Sequence, residues 1–331
     1  MAFRATFAYL ALVLAAMPAL SAQQAATPVI LDAARRTLIL DSISGAMDRM
    51  YVFPEVAARV NAELSAGARS GAFDTLTDPA GFARALTARI QAVSHDRHLR
   101  VRVGMGGPPM RVANGPGMPR GNAPRMFGRT ERLEGNVAYV EILTFGVPVD
   151  AVRDAIREAM SAAADASALI LDVRANGGGQ PQAVALVSSY LFGDVAVHLN
   201  SLHWREGGRV DHFHTEPAVP GSKFGPDKPV FVLTSNRTFS AAEEFAYNLQ
   251  SRRRATIVGE TTGGGAHPGR AVPLPDGLSI FVSTGRAVNP ITGTNWEGTG
   301  VRPDVESTAD AALETALRLA RAASGATSPR P

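Results

Sequence analysis

Leu169-Ile170-Leu171-Asp172-Val173-Arg174-Ala175-Asn176-Gly177-Gly178-Gly179 is the stretch that decides the fold of this 331-residue chain. The run from Ala168 to Val173 is apolar apart from Asp172 and short, as a strand buried on both faces should be. A triple glycine follows, and then a predicted helix from Pro181 to Leu191. Glycines between a strand and a helix let the backbone approach a ligand closely. The run lacks both the Gly-x-Gly-x-x-Gly spacing and the Gly-Lys-Ser/Thr ending of nucleotide loops, so a phosphate cradle is disfavoured. A helix-capping turn is the alternative reading.

The same alternation extends outward in both directions. Upstream, Val137 to Leu143 is predicted as a strand and Val149 to Ala164 as a helix. Downstream, strands are predicted near Val195 to His203, Val230 to Thr234, Thr256 to Val258 and Ser279 to Thr284. A helix from Ala241 to Arg252 lies among them. Strands alternating with helices imply an α/β core with crossover connections.

Before this core, Leu31 to Met50, Pro54 to Ala68 and Pro79 to Val93 carry apolar residues at helical spacing. Pro54 and Pro79 suit first-turn positions, and Asp78 suits a cap. Residues 28–97 therefore read as an N-terminal helical domain and 98–323 as the core, with 324–331 as a disordered tail. Leu99 to Val103 alternates apolar and basic side chains like a half-buried strand. Residues 104–135, dense in Gly, Pro and Met at their start, read as a flexible loop.

Composition narrows the classes. A hydrophobic content of 45% and a charged content of 19% suit a globular protein, and a net charge of +3 implies no nucleic-acid partner. Residues 1–22 read as an export signal: Arg4, an apolar stretch from Tyr9 to Ala16, and a small-residue exit at Ala19-Leu20-Ser21-Ala22. That stretch is too short for a comfortable membrane span, so none is expected after signal removal, and a periplasmic or secreted protein is predicted. With no cysteine, there is no thiol chemistry and no disulfide. Only Lys223 and Lys228 are lysines; the other basic residues are arginines, which stay protonated at neutral pH.

Thr234-Ser235-Asn236-Arg237-Thr238-Phe239-Ser240-Ala241-Ala242-Glu243-Glu244 places a serine where a predicted helix begins. Ser240 with Glu243 forms a Ser-x-x-Glu capping box, which by itself explains both residue types. The same position puts the hydroxyl beside free backbone N–H groups, where an oxyanion is stabilised. The Gly-x-Ser-x-Gly elbow of common α/β-hydrolases is absent.

Taken in order, the set is more specific than its pieces. Leu171-Asp172-x-Arg174-x-Asn176-x-Gly178-Gly179, then Ser240, then Val258-Gly259-Glu260-Thr261-x-Gly263-Gly264 resembles the C-terminal-processing, or tail-specific, serine peptidases. That family includes tricorn protease and the modules of interphotoreceptor retinoid-binding protein, and the resemblance runs from about Leu31 to Ser307. It implies a crotonase-like ββα peptidase core behind a helical N-terminus, with the active site between them. Processing peptidases pair serine with a lysine just beyond the Gly-Glu-Thr segment. Here that stretch is Gly263-Gly264-Gly265-Ala266-His267, with no lysine after Lys228. The tricorn-like branch uses serine and histidine with a glutamate relay, matched by His95-Asp96-Arg97-His98-Leu99 and by Glu297-Gly298-Thr299-Gly300-Val301-Arg302-Pro303-Asp304.

The resemblance thus implies Ser240 as nucleophile, His98 as general base, Glu297 as the orienting carboxylate, and the Gly178 and Ala241 amides as the oxyanion hole. Two departures stand out. Arg97 occupies the position of the relay serine, and the chain between the His98 strand and the core is too short for a PDZ domain. His95 competes with His98, and His267 follows the glycine run. A metal site from His95, His98, His212 and His214 lacks ligand spacing, so neither metal nor organic cofactor is implied. The expected substrate is a peptide or unfolded protein, and the oligomeric state is open. A carrier of apolar molecules on an inactive scaffold is the reading from another class.

Overall fold

The structure is a computed structural model that describes residues 30–104 and 125–326. Residues 1–22, expected to be an export signal, and most of the Gly/Pro-rich segment lie outside the described residues, as do 327–331.

Three helices open the described chain: α1 (Ala33–Met50), α2 (Pro54–Arg69) and α3 (Pro79–Ser94). Their starts follow the expected chemistry. Asp32 caps α1 by accepting from Arg35 N, Asp78 caps α3 by accepting from Gly81 N, and proline opens α2 and α3. These helices do not close a core among themselves. Ile39, Ile43, Leu64, Phe82 and Ile90 pack with Leu99, Val101, Leu278, Ile280 and Val282. Those last five belong to or adjoin a small antiparallel sheet of β1 (Arg100–Val103), β10 (Leu278–Ser283) and β9 (Gly269–Pro273). The helical unit proposed for 28–97 therefore shares its core with strands about 170 residues further along the chain.

The second layer system is a six-stranded sheet. Its order is β12 (Val305–Glu306), β8 (Thr256–Gly259), β7 (Val230–Thr234), β4 (Ala168–Asp172), β3 (Val137–Ile142) and β2 (Phe127–Leu133). All neighbours are parallel except β2, which runs antiparallel to β3. Helices α4 (Val149–Ala163), α5 (Pro181–Ser189) and α6 (Ala241–Ser251) cover one face through Ile156, Val184, Leu186, Phe245 and Leu249. On the other face α7 (Ala312–Ala326) sets Ala312, Ala316 and Ala320 against Ile170, Phe231 and Leu233. Coverage on both sides explains why β4 and β7 are wholly buried and read as continuous apolar runs. A third sheet, β11 (Gly285–Val288), β5 (His198–Trp204) and β6 (Val210–His214), leans on the α5–α6 side.

β4 pairs with β7 in parallel register, so the loops leaving their C-terminal ends are neighbours. That edge of an α/β sheet is where ligands bind. The Gly177–Gly179 loop and Ser240 meet there.

Three sequence assignments change. Residues 127–133, assigned to the loop of 104–135, form β2; its middle residues are exposed, so no apolar alternation announces it. Residues 324–326, assigned to the tail, belong to α7, which runs to Ala326. The stretches forming β6, β9, β11 and β12 were not anticipated as strands. Among the described residues no helix is long and apolar enough to cross a membrane.

Candidate active site

Ser240 precedes α6 with φ 56° and ψ −123°, a backbone conformation that a side chain bearing Cβ rarely adopts. Such strain persists only where the surroundings impose it. Glu243 accepts from Ser240 N at 2.8 Å, so the capping interaction read from the sequence is present. The Glu243 carboxylate also accepts from Gly264 N at 2.6 Å, Gly265 N at 2.9 Å and Thr262 Oγ1 at 2.5 Å. One fully buried acid therefore ties the serine turn to the Gly263–His267 loop. Burial raises the Glu243 pKa, and the donors around it oppose that shift.

The glycine loop is held from behind. Asp172 pairs with Arg174 and accepts from Tyr139 Oη at 2.7 Å. Ser235 Oγ and Thr238 Oγ1 donate to the carbonyls of Arg174 and Val173. Gly178 lies against the serine itself: a Cβ there would sit 2.7 Å from Ser240 Cβ, and φ is +106°. Only glycine fits this approach.

Of the two amides expected to bind an oxyanion, the structure leaves one open. Ala241 begins α6, so its N–H has no intrahelical acceptor, and it lines the cavity beside Ser240. The Gly178 N–H already donates to Asn176 Oδ1 at 2.8 Å.

His98 stands between α3 and β1, as the sequence suggested. Its ring lies 4.6 Å from the Phe239 ring and 5.5 Å from the Phe281 ring, centroid to centroid. Nδ1 is buried without a hydrogen-bond partner. Burial pushes the imidazole pKa down to about 4, against the pull of Asp96. No hydrogen bond joins His98 to Ser240; the neighbouring Phe239 ring is the contact that links them. A Cβ on Gly265 would meet that ring at 2.3 Å and His98 Cε1 at 2.7 Å, so the glycine makes room for the imidazole.

Glu297 does not reach His98. Its Oε2 accepts from Ala266 N and His267 N, and lies 3.4 Å from His267 Nδ1. His267 Nδ1 also lies 3.5 Å from Asp96 Oδ2, and Asp96 Oδ1 accepts from His98 N at 2.8 Å. Tyr51 Oη donates to Asp96 at 3.3 Å. Burial and the Asp96 charge raise Glu297 to about 7. Burial also pushes Asp96 upward, but His267 and His98 outweigh it and leave that carboxyl below its ordinary range. Of the two, Asp96 is thus the stronger acid and Glu297 the weaker.

Asp96 and His267 are functional candidates that the sequence reading did not select. Their signal was thin: an acid two residues before His98, and a histidine at the end of a glycine run. Asp96, His267 and Glu297 are also the group among the described residues whose donor atoms are near enough to share a metal ion. His95 ends α3 in a left-handed turn and is exposed, while His212 and His214 lie on β6 beside His198. Neither lysine serves the site. Lys223 pairs with Asp194, and Lys228 donates to the Ala164 carbonyl.

A cavity of about 430 Å³ opens beside Ser240. Gly179, Ala241, Glu244 and Gly265 line it near the serine, and Leu202, Phe213 and Trp296 form apolar walls.

The model of Peptidase family S41 matches residues 136–307, just over half of the chain. The chain belongs to peptidase family S41. The model of the S41 N-terminal domain in eukaryotic IRBP matches residues 19–139. A carboxy-terminal-processing protease of Bartonella bacilliformis is 27% identical over 181 residues, covering 53% of this chain and 39% of that protein. A chloroplastic carboxyl-terminal-processing peptidase 2 of Arabidopsis thaliana is 28% identical over 170 residues, covering 51% and 31%. The match therefore spans well under half the length of these curated relatives.

Among solved structures, a photosystem II D1 C-terminal processing protease superposes with TM-score 0.52 at 19% identity, covering 86% of this chain and 97% of that one. A lipoprotein from Streptococcus agalactiae gives 0.58 at 12%, covering 88% and 97%. These likenesses concern the S41 fold, and the mixed α/β core with its N-terminal helices is the architecture expected from the sequence.

Proposed function

We propose that this S41 chain is an exported serine peptidase that cleaves short or unfolded peptides through an acyl-enzyme on Ser240. One observation carries the reading: a strained serine at a helix start, with the free Ala241 N–H beside it, lines a cavity. A hydroxyl needs a neighbouring base to become a nucleophile, and His98 is neutral across the physiological range because burial lowers its pKa. His98 takes the Ser240 proton as the hydroxyl attacks the scissile carbonyl, then passes it to the leaving amine. Water reverses the sequence to release the acid. The Ala241 N–H stabilises the oxyanion, and the Gly178 N–H would join it on release from Asn176.

In this reading Glu297 acts at a distance. It holds the main chain at Ala266 and His267, His267 faces Asp96, and Asp96 holds the His98 backbone. Asp96 and His267 fill the gap left by Arg97 in place of the relay serine. His98 closes on Ser240 as substrate arrives, since catalytic hydrogen bonds are often loose without it. Export rests on residues 1–22 and points to the periplasm or exterior.

A second reading, a carrier of hydrophobic small molecules, draws support from the missing Ser240–His98 hydrogen bond and the aromatic packing of His98. Intact-mass measurement after fluorophosphonate treatment separates the two. A single adduct absent from Ser240→Ala supports the peptidase; no adduct on folded protein favours the carrier.

A further inference from the structure

Glu244 is an acid that the proposed mechanism leaves unused. It sits on α6 four residues beyond Ser240, the residue that precedes the helix, and both line one cavity. Its residue surface is only 4% exposed, yet it lines the cavity that Ser240 lines. Oε1 is buried and has no hydrogen-bond partner. The Asn200 and Asn248 side chains flank it and pull its pKa down a little, yet neither makes a well-formed hydrogen bond to Oε1. Among the described residues no cation pairs with it. Arg209, the cavity's own cation, pairs instead with Asp211 at 3.2 Å and lies 5.2 Å from the centre of the Trp204 ring.

Burial pushes the Glu244 carboxyl up to about 7. Two neutral amides only partly offset the burial of this acid, and a buried carboxylate with no cation beside it is destabilising. A ligand that brings a cation supplies that partner. The walls of Leu202, Phe213, Ala287 and Trp296 suit a methylene stem, and the acid is more buried than the serine.

We infer that this cavity is the subsite for the substrate side chain on the acyl side of the scissile bond, and that Glu244 selects lysine or arginine there. The inference rests on the acylation of Ser240 for its link to cleavage, although the cation site itself does not. Ser240 and Glu244 line one cavity, so an extended basic side chain whose carbonyl is held at Ser240 enters the space that Glu244 borders. A neutral side chain of similar size leaves the buried carboxyl without a partner, which is how such sites reject near-isosteres.

Binding of benzamidine and of benzamide, its neutral counterpart, to the wild-type chain tests this by calorimetry at pH 8. Benzamidine is expected to bind about tenfold or more tightly than benzamide, as a charge-assisted pair in a desolvated site allows. Glu244→Gln should erase the difference. Equal binding of the two probes to wild type overturns the inference without needing any variant. A preference that survives Glu244→Gln in folded protein overturns it as well. Labelling by fluorophosphonate reports on the peptidase reading separately, so cation selection without labelling would reject that reading and keep the site.

Discussion

His267 Nδ1 lies 3.4 Å from the Glu297 carboxylate and 3.5 Å from the Asp96 carboxylate, so a single imidazole separates a buried acid from a partly buried one. The acid expected to orient His98 thus faces a different histidine. Asp96, on the far side, is the group that reaches the His98 main chain. Glu297 and His98 belong to one assembly, joined through two residues rather than by contact.

Removing the imidazole should expose that arrangement. His267→Ala leaves the two acids facing each other with nothing between them, and the expected loss is about 1–3 kcal/mol of unfolding free energy, as for polar groups left unsatisfied. Adding Glu297→Gln should recover part of the loss, because one acid no longer ionises. Urea denaturation of the two single variants and the double variant measures the coupling. Strict additivity would show that His267 and Glu297 do not interact.

The acid limb of the reaction is a second test. An ordinary imidazole is half protonated near 6.5. Burial lowers His98 to about 4, so it remains an unprotonated base well below neutrality. The fluorophosphonate labelling rate is expected to stay level from pH 8 to about 5 and to fall as pH approaches 4. A midpoint near 6.5 would mean that His98 is solvated in the reacting state, or that another group is the base.

Much of the fold was legible because burial on two faces writes itself into composition. β7 occupies the five residues expected of it, and α1, α2 and α3 follow their caps and prolines. β2 was illegible for the opposite reason: its backbone pairs with β3 while its middle side chains face solvent. At the site, Ser240 and Glu243 could be read because a helix start has a local signature. The Asp96–His267–Glu297 contact could not, since it joins segments 171 and 30 residues apart. The occupied Gly178 N–H was equally hidden, because Asn176 could be seen in the motif but not the direction of its side chain.

Gly265 offers a test of how His98 is seated. Alanine there puts a methyl carbon within 2.3 Å of the Phe239 ring and 2.7 Å of His98 Cε1. Gly265→Ala should lose about 1–3 kcal/mol of stability through overpacking. Labelling of Ser240 should slow by about 10²-fold or more if His98 is displaced as general base. Unchanged labelling in a destabilised variant would separate the imidazole from the chemistry.

Glu244 should also leave its mark on stability against pH. Its folded value is raised to about 7 from an ordinary 4.5, chiefly by burial. Between those limits the unfolded chain has released the proton and the folded chain still binds it. Stability contributed by this group is therefore full below pH 4.5 and lost as pH rises through 7. Glu297, raised for the same first reason, acts in the same direction, whereas His98, lowered to about 4, raises stability as pH climbs from 4 towards 6.5. Glu244→Gln deletes one term and keeps a neutral polar group of similar shape. Its advantage over wild type should be small at pH 4.5 and grow to the order of 3 kcal/mol at pH 8. Urea unfolding at the two pH values measures this, and an equal difference at both would show that Glu244 ionises in the folded protein as freely as in the unfolded one. Stability gained at alkaline pH together with lost benzamidine selectivity is the pattern expected where binding keeps a destabilising residue in place.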